Sequence, residues 1–298
     1  MSLPANDKNR AARSCAGPLR AAAESRPGGS FPTVGDFFAM LGIVLGMQFV
    51  VGAVALAAGF FSGSAVDASD PALRGARLAA VYVASMLPAY LLVLAYRHYR
   101  GGRGPVGRFA LSGWNPALLV WAFVFMLAVG VVCEPLFDLL PEPADTDLGR
   151  GGWTLFSVLV AAPVLEELLC RGVVLESLRG RYGTVAAWFF SSLFFGVLHG
   201  QLLLAVNAFV IGAILGYIYL VTGSLWASML LHALNNAAAY LLMAAGLSDT
   251  LLIDLVGSRT LYAIIYIGAL VVTAVSAWMM RRTLSRLRAG AEKEPAAQ

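Results

Sequence analysis

Long apolar stretches, separated by short polar segments, constrain the fold of this chain more than any other feature of its sequence. Most of them approach or exceed the roughly 20 residues that an α-helix needs to cross the hydrocarbon core of a bilayer. In lipid only helices and closed barrels satisfy their backbone hydrogen bonds, and the sequence lacks the alternating pattern of barrel strands. The sequence therefore predicts an all-α, polytopic membrane protein. We expect eight spans, at 37–61, 78–96, 116–137, 153–173, 184–199, 202–221, 224–244 and 260–280.

The composition agrees with this class. Only 13% of the 298 residues are charged, and the mean hydropathy is +0.76, whereas a soluble domain carries about 25% charged residues. The basic residues behind the net charge of +4 lie beside the predicted spans, where such residues set orientation. The lipid bilayer is thus the expected partner, and no nucleic acid is expected. Abundant Arg, Ala and Gly with little Lys indicate a GC-rich bacterial genome, so we expect an integral protein of the bacterial inner membrane.

The distribution of charge along the chain predicts its orientation. The N-terminal tail, the loop 97–108 and the C-terminus are basic, whereas the loop 134–150 is acidic. Because Lys and Arg accumulate on the cytoplasmic side, eight spans with both termini in the cytoplasm fit best. The predicted parts are a flexible cytoplasmic tail at 1–36, N-terminal transmembrane helices at 37–150, a membrane core at 151–245, a last transmembrane helix at 246–281 and a basic cytoplasmic tail at 282–298.

The fourth predicted span carries two adjacent carboxylates, Glu166 and Glu167, in otherwise apolar sequence. Ionisable groups at membrane depth are costly and are usually functional. Glu167 and Arg171 are four residues apart, so they share a helix face and are expected to pair. Glu166 points about 100° away and has no obvious partner on its own helix. Glu166 is therefore the candidate general base, and Glu167 its supporting neighbour.

Two later spans each carry a histidine, His199 and His232, and Asn236 follows His232 by one helical turn. Counting the helical rise of about 1.5 Å per residue from the nearest turns puts these side chains and Glu166 near one depth, in the middle of the bilayer. Each residue alone has a structural explanation, because polar side chains often hydrogen-bond between membrane helices. Their convergence at one depth favours a catalytic site.

In these residues the sequence resembles the CPBP family of intramembrane endopeptidases, which includes CAAX proteases and bacteriocin-processing proteins. The resemblance covers roughly 153–243 and implies a membrane-embedded endopeptidase that acts on a peptide or protein substrate in or near the membrane, lipidated in eukaryotic members. It also implies a catalytic set with Arg171 and Phe195 in supporting positions. The family motifs occur in order as Glu166, Glu167 and Arg171, then Phe195 and His199, then His232 and Asn236.

The favoured hypothesis is hydrolysis of a peptide bond by an activated water molecule. Glu166, helped by His199, would deprotonate the water. His232 and Asn236 would hold the oxyanion of the tetrahedral intermediate.

Two other hypotheses stay open. In a metalloprotease variant, Glu166, His199 and His232 would bind Zn²⁺, as in catalytic sites with two His and one Glu ligands. The sequence lacks a His-Glu-x-x-His helix, and water activation without an obligatory metal is preferred. The hypothesis from another class is a non-enzymatic membrane immunity or scaffold protein, or a proton-coupled transporter that uses the Glu/His cluster.

Overall fold

A computed structural model of the chain describes residues 31–60, 70–111, 114–141, 147–247 and 250–293. The predicted N-terminal tail lies, up to residue 30, outside the described residues. The same holds for residues 294–298 of the predicted C-terminal tail.

The described residues are mainly helical, and their only extended pairing is an isolated antiparallel bridge between Phe109 and Ser224. This confirms the predicted all-α class. A helical path from Gly152 to Val197 contains two π-helical segments, named π1 and π2 here. The elements are, in chain order, α1 (Val34–Ala57), α2 (Pro71–Tyr99), α3 (Pro116–Phe137), α4 (Gly152–Phe156), π1 (Ser157–Ala161), α5 (Ala162–Glu167), π2 (Leu168–Leu175), α6 (Glu176–Val197), α7 (Leu202–Thr222), α8 (Leu225–Ala244), α9 (Leu252–Val256) and α10 (Arg259–Lys293).

Capping side chains explain where the first three helices begin. The Thr33 hydroxyl accepts a hydrogen bond from Asp36 N at 3.1 Å, and the Asp36 carboxylate accepts one from Thr33 N at 2.7 Å. This capping box starts α1 ahead of the first predicted span. The side chains of Asp70 and Asn115 cap α2 and α3, each followed by a proline that loses nothing at the first helical position.

Gly183 separates two parts of α6. Its φ of +82° lies in the region that favours glycine, and it interrupts the helix between the predicted fourth and fifth spans. The Ser191 hydroxyl donates to Cys170 O at 2.8 Å, so the second part of α6 lies against π2. This hairpin brings the fifth predicted span against π2, the segment that directly follows the two glutamates.

Five of the described helices are long and apolar enough to cross a membrane: α1, α2, α3, α7 and the first part of α10. Large apolar side chains cover their outer faces. Phe49, Leu91 and Val271 are 76%, 54% and 57% exposed, respectively. Such a surface is unfavourable in water but suits hydrocarbon. The chain is an integral membrane protein.

The predicted spans at 153–173, 184–199 and 224–244 are helical but are not among those five. The first is divided by π1 and π2 and carries three charged residues, the second is short, and the third contains His and Asn. The charged residues, the π segments and the His and Asn side chains belong to the candidate site. The count of eight spans and the orientation of the termini stay predictions.

Helix packing places the candidate site among α2, α5, π2, α6, α7 and α8. α1 packs against α2, α6 against α7, and α10 against α3, while α8 contacts α3, α7, π1 and α5. One buried cluster joins α1 and α2 to π2 and α6, and a second joins α3, α7 and α8. The polar residues of the site therefore lie within packed helices, away from the lipid-facing surface.

Candidate active site

The two π segments flank α5, the six-residue stretch that ends in the adjacent glutamates. Hydrogen bonds in a π-helix run between residues five apart, and such bulges are frequent at functional sites. At the end of π1, Ala162 N donates to Ser157 O. The next donor in this register would be residue 163, but Pro163 has no N–H. The carbonyl of Val158 is therefore left for another donor.

Asn236 supplies that donor. Its Nδ2 donates to Val158 O at 3.0 Å, which ties α8 to π1. This bond uses one of the two hydrogens on Nδ2. Among the described residues, no hydrogen bond joins Asn236 to His232 or to either glutamate.

Glu167 lies at the centre of a fully buried polar cluster. Its Oε1 accepts a hydrogen bond from Arg171 Nη1 at 2.8 Å, which confirms the predicted pair. Arg171 Nη2 donates to Gly212 O at 2.7 Å, and the guanidinium carbon lies 4.7 Å from the centroid of the Phe195 ring. Such additional hydrogen bonds offset part of the desolvation cost of a buried ion pair. Arg171 thus connects α7 and α6 to the carboxylate.

Phe195 packs against both histidines. Its ring centroid is 5.1 Å from that of His199 and 5.4 Å from that of His232. A Cβ atom at Gly212 would come within 3.0 Å of the Phe195 ring, so a glycine at this position lets the ring pack closely on α7. Phe195 therefore contacts both histidines and Arg171, and its supporting role stays a prediction.

His232 contacts both glutamates. Its Nδ1 is 3.2 Å from Glu167 Oε1, and its Nε2 is 3.8 Å from Glu166 Oε2. An ionised carboxylate only accepts hydrogen bonds, so we assign the Nδ1 proton to the bond with Glu167. The Nε2 separation exceeds a direct hydrogen bond and is too short for a water on the line between the two atoms, so a water bonded to both would lie to one side of that line.

Glu166 is also buried, and its two oxygens face different partners. Oε1 accepts a hydrogen bond from the Tyr82 hydroxyl at 2.8 Å, while Oε2 faces His232. Tyr82 lies on α2 and was not identified from the sequence. The signal was weak, because one tyrosine in an apolar span is common. The only indication was that a buried tyrosine hydroxyl usually needs a hydrogen-bond partner.

His199 is half-buried near the end of α6. Its Nδ1 lies 2.9 Å from Phe195 O, and because a carbonyl only accepts, Nδ1 must donate. In the neutral ring Nε2 is then an acceptor. Within the ranges that the structure describes, no hydrogen bond or ion pair joins His199 to Glu166.

The structure therefore brings some of the five predicted site residues into contact and leaves others apart. His232 lies within 4 Å of both Glu166 and Glu167, and Phe195 packs against both His232 and His199. Asn236 is on the same helix as His232 but is bonded to π1.

The zinc hypothesis uses Glu166, His199 and His232. In the part of the chain that the structure describes, no group of three or more His, Cys, Asp or Glu side chains is placed to hold a metal ion. Each of the two imidazoles packs against the Phe195 ring, and no contact between His199 and Glu166 or His232 is observed among the described residues. The side chains as placed do not fit a three-ligand zinc site.

Comparison with known proteins finds a family match over the segment that carries the candidate site. Residues 150–238 match the family model of the type II CAAX prenyl endopeptidases, described as Rce1-like. No curated protein and no solved structure matches the chain. The family match confirms that this segment, which carries the candidate site, resembles the CPBP intramembrane endopeptidases.

Proposed function

We propose that this protein is an intramembrane endopeptidase in which Glu166 activates a water molecule for attack on a peptide bond. The observation that carries this proposal is the 3.8 Å separation between Glu166 Oε2 and His232 Nε2. The other polar atom of each group is already engaged, Glu166 Oε1 by Tyr82 and His232 Nδ1 by Glu167. One carboxylate oxygen and one imidazole nitrogen thus lie side by side, and the proposed water bonds to both from one side of the line that joins them.

The proposed reaction is general acid–base hydrolysis. Glu166, helped by His199, takes a proton from the water as its oxygen bonds to the carbonyl carbon of the substrate. His232 donates from Nε2 to the resulting oxyanion, a step that requires a proton on Nε2 as well as on Nδ1, and Asn236 donates its second Nδ2 hydrogen. Glu166 then returns the proton to the amide nitrogen as the C–N bond breaks. Removing one such oxyanion donor costs about 3–4 kcal/mol of transition-state stabilisation in a known protease.

The supporting residues give this mechanism its geometry. Glu167 orients His232 through Nδ1, and Arg171 holds Glu167 through the 2.8 Å contact. Water activation by these side chains requires no metal ion. We assign the catalytic core to residues 151–245, within an integral protein of the bacterial inner membrane.

The proposed substrate is a membrane-associated protein or peptide, lipidated near its C-terminus as in a CAAX sequence. The family match supports this class of substrate. A site buried among apolar helices suits a scissile bond that a lipid anchor holds at the membrane.

Cleavage of quenched fluorescent peptides by purified protein in liposomes tests the proposal. We use a farnesylated CAAX peptide and its unlipidated counterpart, and expect cleavage of the farnesylated peptide. Glu166→Gln should reduce kcat by at least about 100-fold, because a positioned general base contributes roughly 10²–10⁴-fold. Incubation with a zinc chelator should leave the rate unchanged.

Asp254→Asn is the matched control, because Asp254 is exposed on α9 outside the site. It should cleave like the wild type. Full cleavage by Glu166→Gln contradicts the proposed mechanism. So does stoichiometric zinc in the purified protein if its removal by the chelator abolishes cleavage. Failure of the wild type to cleave either peptide contradicts the substrate class.

A further inference from the structure

Tyr82 is the one side chain from outside the family-matched segment 150–238 that hydrogen-bonds to a candidate catalytic group among the described residues. It lies on α2, in the N-terminal half of the chain. Its hydroxyl donates to Glu166 Oε1 at 2.8 Å, and Glu166 is only 8% exposed. A hydrogen bond to a charged group in such surroundings is stronger than one between neutral groups.

Contacts along α2 hold Tyr82 in register with Glu166. Near the start of this helix, Arg150 N donates to Pro71 O at 2.7 Å, and Gly75 packs directly against Thr154. These contacts fix α2 against the beginning of the helical path that leads to Glu166. The position of the Tyr82 hydroxyl is therefore set by helix packing.

The hydrogen bond gives the two oxygens of Glu166 different tasks. The terminal torsion of a glutamate side chain is broad and roughly two-fold, so an unanchored carboxylate rotates and exchanges its oxygens. With Oε1 held by Tyr82, Oε2 stays on the side of His232 Nε2, 3.8 Å away. Catalytic groups held in one geometry convert more of their encounters into reaction.

We propose that Tyr82 is a positioning residue for Glu166, which makes α2 a part of the active site. The inference rests on the proposed function, because it assigns to Tyr82 the orientation of the general base. The fold thereby uses a helix from outside the family-matched segment to complete the site.

Tyr82→Phe tests this inference, since it removes the hydroxyl and keeps the ring. We expect kcat for the farnesylated peptide to fall roughly 10- to 100-fold, as for other small misplacements of catalytic groups, with KM unchanged. Tyr90→Phe is the matched control, because Tyr90 lies on the same helix and packs against the same core. It should retain the wild-type kcat. Thermal unfolding in detergent verifies that both variants are folded.

A double-mutant cycle separates positioning from a general structural effect. In Glu166→Asp the shorter side chain no longer reaches Tyr82, so adding Tyr82→Phe should lower kcat by less than twofold. Equal effects of Tyr82→Phe in both backgrounds, or an unchanged kcat in the single variant, would overturn the inference.

An infrared readout is independent of cleavage. The carboxylate band that disappears in Glu166→Gln should shift in Tyr82→Phe and remain in place in Tyr90→Phe. If the band shifts in Tyr82→Phe but the wild-type protein does not cleave the peptide, the hydrogen bond exists and the proposed function has failed. If the wild-type protein cleaves the peptide but the band does not shift in Tyr82→Phe, only the inference about Tyr82 has failed.

Discussion

At the scale of single residues, the centre of the site is a carboxylate and a guanidinium with no exposed surface. Glu167 and Arg171 are 2.8 Å apart, and both side chains are completely buried. Desolvation of two such ions is costly, and removal of one partner leaves the other charge buried without compensation. The pair is therefore better explained by its task of holding His232 than by its contribution to stability.

Arg171→Met should lower the free energy of unfolding by about 3–5 kcal/mol, because Glu167 is left without its cation. The double variant Glu167→Met with Arg171→Met should lose less, since both charges are removed together. Unfolding in detergent micelles measures the difference. Arg179→Met is the control, because the Arg179–Glu176 pair at 3.2 Å is partly exposed and should contribute about 1 kcal/mol or less. A double variant as unstable as the single one would contradict this account.

At the scale of elements, the irregular segment π1 explains the contact of Asn236. Pro163 removes the N–H that would continue the π register, and Asn236 donates to the carbonyl of Val158 instead. A proline in one helix is thus matched by an amide in another. The same amide that is proposed to bind the oxyanion also fixes the position of α8.

Restoring the missing N–H tests this explanation. Asn236→Ala should destabilise the protein by about 1–3 kcal/mol, because the Val158 carbonyl loses its donor. In a Pro163→Ala background the backbone can supply that donor, so Asn236→Ala should cost at least about 0.5 kcal/mol less. Thermal or denaturant unfolding of the four proteins gives the coupling energy. Strictly additive effects would show that the two residues act independently.

At the scale of the whole molecule, the two ends of α2 identify opposite faces of the bundle. Leu148 lies near the beginning of α2, where Arg150 N donates to Pro71 O, and Arg103 follows its end. A helix of 29 residues is about 44 Å long, enough to cross the bilayer. Leu148 and Arg103 are therefore expected on opposite sides of the membrane.

Labelling of introduced cysteines tests the predicted orientation. In a background without native cysteines, Leu148→Cys should react with a membrane-impermeant maleimide added to intact cells. Arg103→Cys should react only after the cells are opened, because its basic loop is predicted to be cytoplasmic. Both substitutions fall on exposed residues. The reverse labelling pattern would invert the proposed topology.

Several features were predictable because they depend on one helix at a time. The all-α class follows from the length of the apolar stretches, and the Glu167–Arg171 pair follows from the four-residue spacing that brings two side chains to one helix face. The family motif predicts a supporting role for Phe195, whereas its packing against both histidines was not predictable from the motif. The starting residue of α1 required the capping geometry of Thr33 and Asp36, which lies outside the apolar pattern.

Contacts between helices were not predictable in the same way. Tyr82 reaches Glu166 across 84 positions of sequence, and Asn236 reaches Val158 across 78. Such contacts depend on how each helix is rotated and shifted along its axis relative to its neighbours. In a soluble helix an apolar stripe reveals which face is buried. A membrane helix is apolar on its lipid-facing side as well, so this indicator is weak.

The sequence by itself determined that this chain forms membrane helices and that one segment carries the residues of an intramembrane endopeptidase family. Only the tertiary structure decided which oxygen of Glu166 faces His232, which helix holds the other oxygen, and which carbonyl engages Asn236. The physical reason is that spacing along a helix is fixed by the backbone, whereas the meeting of side chains from different helices is fixed by packing.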